Sequence, residues 1–307
     1  MKPMTISEDV RVEVDGHVLV LTNLDKVLYP RDGVTKAEVI DYYARVAPVL
    51  LPHLAGRAVT RKRWPDGVEG EAFFEKNLPR GAPDWVRTVR LDSPGSSKGR
   101  DELVYPVVDS VASLIWLANL AALELHVHQW RVGPRGGRGH PDRLVIDLDP
   151  GPPAGLPECV EVAFMVRDRL ARDGLTSWPV TSGSKGLQVY AAVSGRQAAE
   201  HLRAYARSIA LELERAEPTL VLSRMDRSIR AGRVLLDWSQ NHPRKTTIAP
   251  YSLRGRARPT AAAPHTWDEL AAGQARQRLG GEVLERIGRF GDLLSPLFRP
   301  GPRVPEA

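Results

Sequence analysis

Cysteine is almost missing from this 307-residue chain. Cys159 is the only one, so no disulfide can close within it and no cysteine-based zinc site can be built. Long apolar runs are missing too. None approaches the ~20 residues of a membrane-spanning helix. Met1 to Val14 carries early charges and no apolar stretch of the secretory kind. A cytosolic protein with no membrane partner is therefore expected. Lysine is scarce, 8 against 35 arginines, which makes each lysine more informative than each arginine.

What is present is ordinary for a folded protein: 42% hydrophobic and 26% charged residues, enough to build real cores. The formal charge is +6, a balance that suits an anionic partner such as nucleic acid without establishing one.

Residues 1–16 are polar and are expected to be poorly anchored. His17–Thr22 reads as a strand. Thr35 followed by Glu38 reads as a capping box. The helix it opens, from about Lys36 to Leu51, has Val39, Ile40, Tyr43, Val46, Ala47 and Leu50 at helical spacing, and Pro52 ends it. Strands are expected over Ala58–Arg63, Ala72–Lys76, Leu103–Val108 and Leu125–Arg131, a helix over Ser110–Leu123, and a polar turn over Asp92–Arg100. Gly133–Gly139 (GPRGGRG) reads as a flexible linker and a domain boundary.

Beyond it the pattern becomes strand, helix, hairpin, helix, strand. The strands are Leu144–Leu148, Thr176–Thr181, Leu187–Val193 and Arg233–Trp238. The helices lie within Pro157–Gly174 and Gln197–Glu214. This is a mixed α/β pattern. The limits that follow are 17–270 for the main domain, in parts of about 17–132 and 140–258, and 271–307 for a C-terminal helix and tail.

The chemistry concentrates on strand ends. Asp147 and Asp149 are two apart on one strand and so share a face, with Leu148 on the other. Adjacent carboxylates repel unless a proton or cation lies between them, and Mg²⁺ or Mn²⁺ is a natural occupant. Asp237 ends a second apolar strand in the same way. Three such carboxylates suit two-metal phosphoryl or nucleotidyl transfer.

Ser182–Gly186 (SGSKG) can turn backbone N–H groups, hydroxyls and Lys185 toward an anion, though it is no Walker loop, because a strand follows it. Arg230, Arg233, Arg244, Lys245, Arg254 and Arg256 flank the Asp237 strand. Phe73 and Phe74 face opposite ways in a strand, so one can enter the core while the other stacks on a base. His126 and His128 share a strand face; they can ligate a metal, or one packs while the other hydrogen-bonds.

Together these pieces resemble the polymerase domain of bacterial ligase D, the non-homologous end-joining enzyme, within the archaeo-eukaryotic primase superfamily. The carriers are Leu21–Pro30 (LTNLDKVLYP), Thr60–Pro65 (TRKRWP), Phe73–Lys76 (FFEK), Leu123–Val127 (LELHV), Asp147–Gly151 (DLDPG), Thr181–Leu187 (TSGSKGL), Asp237–Asn241 (DWSQN) and Thr246–Arg254 (TTIAPYSLR).

The resemblance implies a primase-like α/β (α+β) fold. An RRM-like mixed sheet carries the carboxylates, beside a smaller N-terminal α/β part. It implies that Asp147, Asp149 and Asp237 are catalytic and hold two ions, Mn²⁺ or Mg²⁺. Ser182, Ser184, Lys185, Gln188, Arg254 and His126 would meet the triphosphate of an NTP or dNTP. Lys62 and Phe73 or Phe74 would hold base and sugar, with Gln240 nearby and Arg230 on a loop that helps set the site. Lys26 and Lys36 would grip the 5′-phosphate of a gap or broken end in double-stranded DNA. Many members have histidine where this chain has Gln188.

The expected activity is template-directed extension of 3′-hydroxyl ends in repair, with ribonucleotides preferred. Ku and a DNA ligase are the expected partners, and the cytoplasm, at the nucleoid, the expected place. The chain would be a stand-alone relative or one domain of a longer protein. A metal-dependent nuclease or phosphoesterase, and a non-catalytic 5′-phosphate-binding module, are the alternatives.

Overall fold

The computed structural model describes residues 9–92 and 102–306. All of the expected Asp92–Arg100 turn but its first residue lies outside them. Two sheets and their helices build the molecule. The larger sheet has six strands. Running across it are Val221–Leu222, Val234–Asp237, Arg143–Pro150, Leu187–Ala192, Ser177–Thr181 and Ala263–Pro264. Only the first pair is parallel. With helices Leu156–Arg172 and Ala199–Ala216 between strands, the chain order is β-α-β-β-α-β, and the first and third strands lie side by side in the middle. This is the split βαβ arrangement expected of an RRM-like sheet.

Alternation along the strands divides the faces. Leu144, Ile146, Leu148, Leu187, Val189, Val234 and Leu236 bury themselves with Cys159, Val162, Val166, Leu202, Tyr205 and Ile209 of the two helices. Val145, Val180 and Tyr190 face the other way, with Ile248. The odd-numbered positions of the central strand therefore look toward the second sheet. That sheet is antiparallel, ordered Thr247–Ile248, Ala122–Val127, Val59–Arg63, Phe73–Glu75. Its outer face is packed by helices Lys36–Leu54 and Val111–Asn119, with Val39, Tyr43, Val46 and Leu50 in a common core with Val59, Leu125 and Val127. Tyr190 Oη lies 3.3 Å from the Ile248 carbonyl, where the two sheets meet.

Several expectations need correction. Val10–Val14 pairs with His17–Leu21 as a hairpin, so order begins well before residue 16; Leu19 and Leu21 are buried and draw the partner strand onto the core. The first helix runs through Pro52 to Leu54. Proline removes one helical donor, but burial of His53 and Leu54 holds the last turn. Gly133–Gly139 is not a linker. Trp130–Val132 pairs with Arg138–Pro141, and Gly136 and Gly137 take the positive φ values, 74° and 81°, that this hairpin turn requires. The second helix stops at Asn119, because Ala121 turns left-handed at φ 55° and strand Ala122–Val127 starts at once. The C-terminal helix is Gly280–Phe290, and the tail beyond it is fastened: Val304 N donates to Gln197 Oε1 at 2.9 Å, and Gln197 Nε2 donates to the Val304 carbonyl at 2.8 Å.

Candidate active site

Strand register brings the carboxylates together. Asp147 lies directly opposite Asp237, and Asp149 opposite Leu235. On its other side Asp147 faces Gln188. The apolar residues between them point into the helix layer, so the three carboxylates share the face toward the second sheet.

Burial raises the proton affinity of Asp147, and the charges of Asp149 and Asp237 raise it further, against a hydrogen bond from Gln188 and the nearby Arg254. Asp149 is raised by burial and Asp237, and is relieved in part by Arg230, Arg254 and Lys245. Asp237 turns its oxygens to local donors. Oδ1 accepts from Ser239 N at 2.9 Å and from Ser239 Oγ; Oδ2 accepts from Gln240 Nε2 at 3.0 Å and lies 3.7 Å from Lys245 Nζ. Lys245 also donates to Ser239 Oγ. Among the described residues no three His, Cys, Asp or Glu side chains close into a ready ligand cluster.

The Ser182–Gly186 turn stands at the end of the neighbouring hairpin. Ser182 N donates to Gly186 O at 3.0 Å, and Ser184 N to Ser182 Oγ at 3.3 Å. Lys185 is exposed at its tip. A Cβ on Gly186 would come 2.0 Å from Leu148 O, and one on Gly183, at φ +69°, would come 2.6 Å from Arg254 Cγ. The glycines thus let the turn lie directly against the Asp147 strand and Arg254.

Arg254 lies between acidic groups of the two sheets. Its Nε lies 3.5 Å from Glu124 Oε1, and its charge acts on Glu124, Asp147 and Asp149 alike. Glu124 also holds His126 Nε2 at 2.9 Å and accepts from Gly255 N at 3.0 Å. Burial pushes the Glu124 carboxyl up, but His126, Arg254 and the Gly255 N–H outweigh it and hold it at about 2. Glu124 was not among the expected site residues. A carboxylate between Leu123 and Leu125 in a buried strand needs partners, and that was the available signal.

Lys62, Phe74 and Glu124 are cross-strand neighbours on one face. Lys62 Nζ stands 4.7 Å above the Trp64 ring, and the Phe74 ring meets His126 edge-on at 6.1 Å. Phe73 and Phe74 are both exposed, 42% and 52%. Neither enters the core, because their three-residue strand forms the sheet edge. Phe74 is the one on the His126 face. His128 does the packing: it stacks on Trp130 at 4.5 Å, Nδ1 meets Lys245 O at 3.0 Å, and burial lowers it to about 3.

Gln188 is buried against the metal-type carboxylate instead of the glycine turn, with Nε2 donating to Asp147 Oδ1 at 3.1 Å. Arg230 closes the rim. A Cβ on Gly151 would collide with the Arg230 carbonyl at 2.1 Å, and Arg230 Nη2 donates to Met225 O.

Lys26 and Lys36 also meet. Val27 pairs with Thr35, and Lys36 N donates to Lys26 O at 2.8 Å. Lys36 opens the first helix behind its Thr35 cap and is buried, with Nζ on Thr22 O at 2.5 Å. Lys26 is half-exposed and paired with Asp66 at 2.7 Å.

The family model described as the LigD primase-polymerase domain matches residues 35–294. This chain belongs to that family. It is thereby a domain of the primase-polymerase, nucleotidyl-transferring kind. The primase-polymerase chain is 48% identical over 282 residues to the multifunctional non-homologous end joining protein LigD of Mycolicibacterium smegmatis, covering 92% of this chain and 36% of that protein. To the multifunctional non-homologous end joining DNA repair protein LigD of Mycobacterium tuberculosis it is 50% identical over 287 residues, 92% and 37% of the two chains. The bifunctional LigD of Bacillus subtilis is 36% identical over 253 residues, covering 82% of this chain and 39% of that protein. The primase-polymerase chain thus spans little more than a third of these curated relatives. The solved polymerase domain from Mycobacterium tuberculosis ligase D in complex with DNA superposes with a TM-score of 0.86 at 50% identity, covering 91% of this chain and 97% of that one. No helix among the described residues is long and apolar enough to cross a membrane.

Proposed function

We propose that this chain extends primer 3′-hydroxyl ends on a template, at gaps and broken ends that carry a 5′-phosphate, with ribonucleotides preferred to deoxyribonucleotides. The observation that carries the reading is the register pairing of Asp147 with Asp237, Asp149 two residues on, facing a cationic rim of Arg230, Arg254 and Lys185. The DNA-bound state of the solved relative supports a duplex partner.

The donor set fits a hard divalent ion. Buried carboxylates that raise one another's proton affinity are relieved by a cation. Asp147, Asp149 and Asp237 would hold two ions, Mn²⁺ or Mg²⁺, whose chemistry is to acidify the attacking hydroxyl and offset charge on the leaving pyrophosphate.

The chain's own groups supply the rest. Lys185, Ser182, Ser184 and Arg254 take the triphosphate, with Arg254 aimed by Glu124, which also holds His126. Phe74 offers the base a face, beside Lys62; Phe73 lies on the opposite face. Gln240 steers Asp237, Gln188 steers Asp147, and Arg230 offsets Asp149. Lys26 and Lys36, at a helix N-terminus, take the 5′-phosphate. End joining beside Ku and a DNA ligase, at the nucleoid, follows from the same reading.

Primer extension on a duplex with a one-nucleotide gap tests it, with Mn²⁺ or Mg²⁺, each NTP and dNTP, and a 5′-phosphate or 5′-hydroxyl downstream. Templated addition, stimulated by the phosphate and stronger with NTPs, is expected. No addition by folded protein bound to the duplex would overturn the reading. Strand cleavage without nucleotide would point to a nuclease.

A further inference from the structure

The element that carries Lys26 and Lys36 reaches the active site through one buried side chain. Strand Val27–Tyr29 follows directly on Lys26 and pairs with Val34–Thr35, which leads into Lys36. Tyr29, at its end, is fully buried, and its hydroxyl donates to the backbone carbonyl of Arg254 at 2.9 Å.

A second contact reaches the same peptide from the same source. Lys26 Nζ is paired with Asp66 Oδ1, and Asp66 lies in the turn that Gly67 N closes on Trp64 O at 3.1 Å. The Trp64 ring is pressed so closely on Gly255 that a Cβ there would come within 2.2 Å of it. The Arg254–Gly255 unit is thus held by the Tyr29 hydroxyl and the Trp64 indole.

The chain before it has no slack. Tyr251 sits at φ 69°, a conformation that a bulky residue keeps only where its surroundings over-determine it. Those surroundings are Tyr42 Oη on its carbonyl at 2.6 Å and Asp292 on its own hydroxyl at 2.6 Å.

We propose that Tyr29 is a positioning residue, which makes the grip of Arg254 on the nucleotide depend on a 5′-phosphate at Lys26 and Lys36. This rests on the polymerase reading above. A phosphate competes with Asp66 for Lys26 and draws on the backbone between Lys26 and Lys36. Tyr29 passes that shift to the Arg254 carbonyl, and Trp64 passes it to Gly255 and to Lys62, which stands over its ring. Coupling of this kind is reciprocal: nucleotide tightens the phosphate grip by the same factor. Tyr29 donates at every working pH, since burial, with Tyr43 and Glu124 nearby, pushes its hydroxyl well above the usual range.

The test is single-nucleotide incorporation by the wild type and Tyr29→Phe on gapped duplexes with a downstream 5′-phosphate or 5′-hydroxyl. The readout is the ratio of the two nucleotide KM values, with thermal melting and binding to the 5′-phosphorylated duplex measured alongside. In the wild type the phosphate lowers KM by about 5–10-fold, the lower part of the usual coupling range. In Tyr29→Phe the ratio falls toward one, while the variant remains folded and keeps its hold on the phosphorylated duplex. Trp64→Phe, which keeps a smaller ring over Gly255, lowers the ratio part-way. A wild-type ratio in both variants overturns the inference and leaves the polymerase reading standing, even if kcat falls on both duplexes alike. No extension by the wild type on either duplex sinks the polymerase reading and this inference with it.

Discussion

Lys36 gives the most quantitative test. It is buried, and burial lowers its ammonium from the ordinary 10.5 to about 8, with Lys26 adding to the fall and Asp9 opposing it. The sign follows from linkage. Below pH 8 both folded and unfolded chains are protonated at this site, and the folded state bears the full cost of about 3 kcal/mol for a shift of this size. Between pH 8 and 10.5 the unfolded chain binds the proton and the folded chain does not, so stability rises with pH. From pH 7 to pH 9 the gain is about 1.3 kcal/mol. Lys36→Met removes the titration. Whatever the variant costs through lost bonds to Thr22, the wild type must gain that ~1.3 kcal/mol on it between the two pH values. Urea unfolding of both proteins at pH 7 and pH 9 reads the difference. A constant gap, or one of opposite sign, would refute the burial reasoning. The same proton governs binding. A phosphate needs the ammonium, so the advantage of 5′-phosphorylated over 5′-hydroxyl duplex should fade above pH 8 in the wild type and be absent in Lys36→Met.

Three further outcomes are expected. Asp147→Asn abolishes extension and removes the rise in melting temperature caused by Mn²⁺, yet the variant is at least as stable as the wild type at pH 7, because a carboxylate raised by burial and by Asp149 and Asp237 no longer has to ionise; a large loss of stability would contradict this. Gly183→Ala forces a Cβ into Arg254 Cγ at a positive φ, so it should cost about 1–2 kcal/mol in melting experiments and raise nucleotide KM. Phe74→Ala should weaken nucleotide binding by about 1–3 kcal/mol, the worth of one base stack, with melting unchanged because the ring is exposed; Phe73→Ala should affect binding far less, and equal effects would mean that neither ring stacks.

The i, i+2 carboxylates were legible from the sequence because strand alternation alone puts Asp147 and Asp149 on one face. The pairing of Asp147 with Asp237 was not, since it depends on which strand lies next to which, a property of the whole sheet. The Thr35–Glu38 capping box was legible because it is local, and Thr35 N does meet Glu38 Oε2 at 2.7 Å. Local signals also misled. Pro52 reads as a stop, but tertiary burial of the following turn outweighs one missing donor. The Gly133–Gly139 glycines read as a flexible linker, and only the pairing of Val132 with Arg138 makes them a hairpin turn. Adjacent phenylalanines suggest one inside and one outside, a rule that fails on an edge strand too short to be covered. The burial of Lys36 has no local signal, because its ammonium is held by Thr22, fourteen residues earlier. Glu124 was passed over because a single acid in an apolar strand says nothing of its partners, one of which, Arg254, lies 130 residues away.

Gln188 shows how the carboxylate face is kept in order. Asp147 has a strand on each side. Asp237 repels it from one, and Gln188 donates to it from the other. An amide can turn either way, so something must hold its N–H₂ toward the carboxylate. Tyr190 Oη donates to Gln188 Oε1 at 3.0 Å, and burial keeps that hydroxyl protonated by pushing it above its usual range. The glutamine is therefore locked as a donor to Asp147. The family resemblance implies a histidine at this position, which could donate equally well but could also take up a charge. Glutamine keeps the donor and gives up the charge, so on the proposed reading Lys185 and Arg254 supply the positive charge to the triphosphate. Gln188→Met, close in size, removes the donor to Asp147 and the acceptor of Tyr190, whose hydroxyl then turns to the Ile248 carbonyl 3.3 Å away. A hydrogen bond to a charged group is worth about 1.5–3 kcal/mol, so extension should fall by about 10–100-fold with melting little changed. Gln188→His should restore most of the loss, because it supplies an N–H at the same register position. Full activity in Gln188→Met would mean that Asp147 needs no such donor, and that the pairing of Gln188 with it is packing alone.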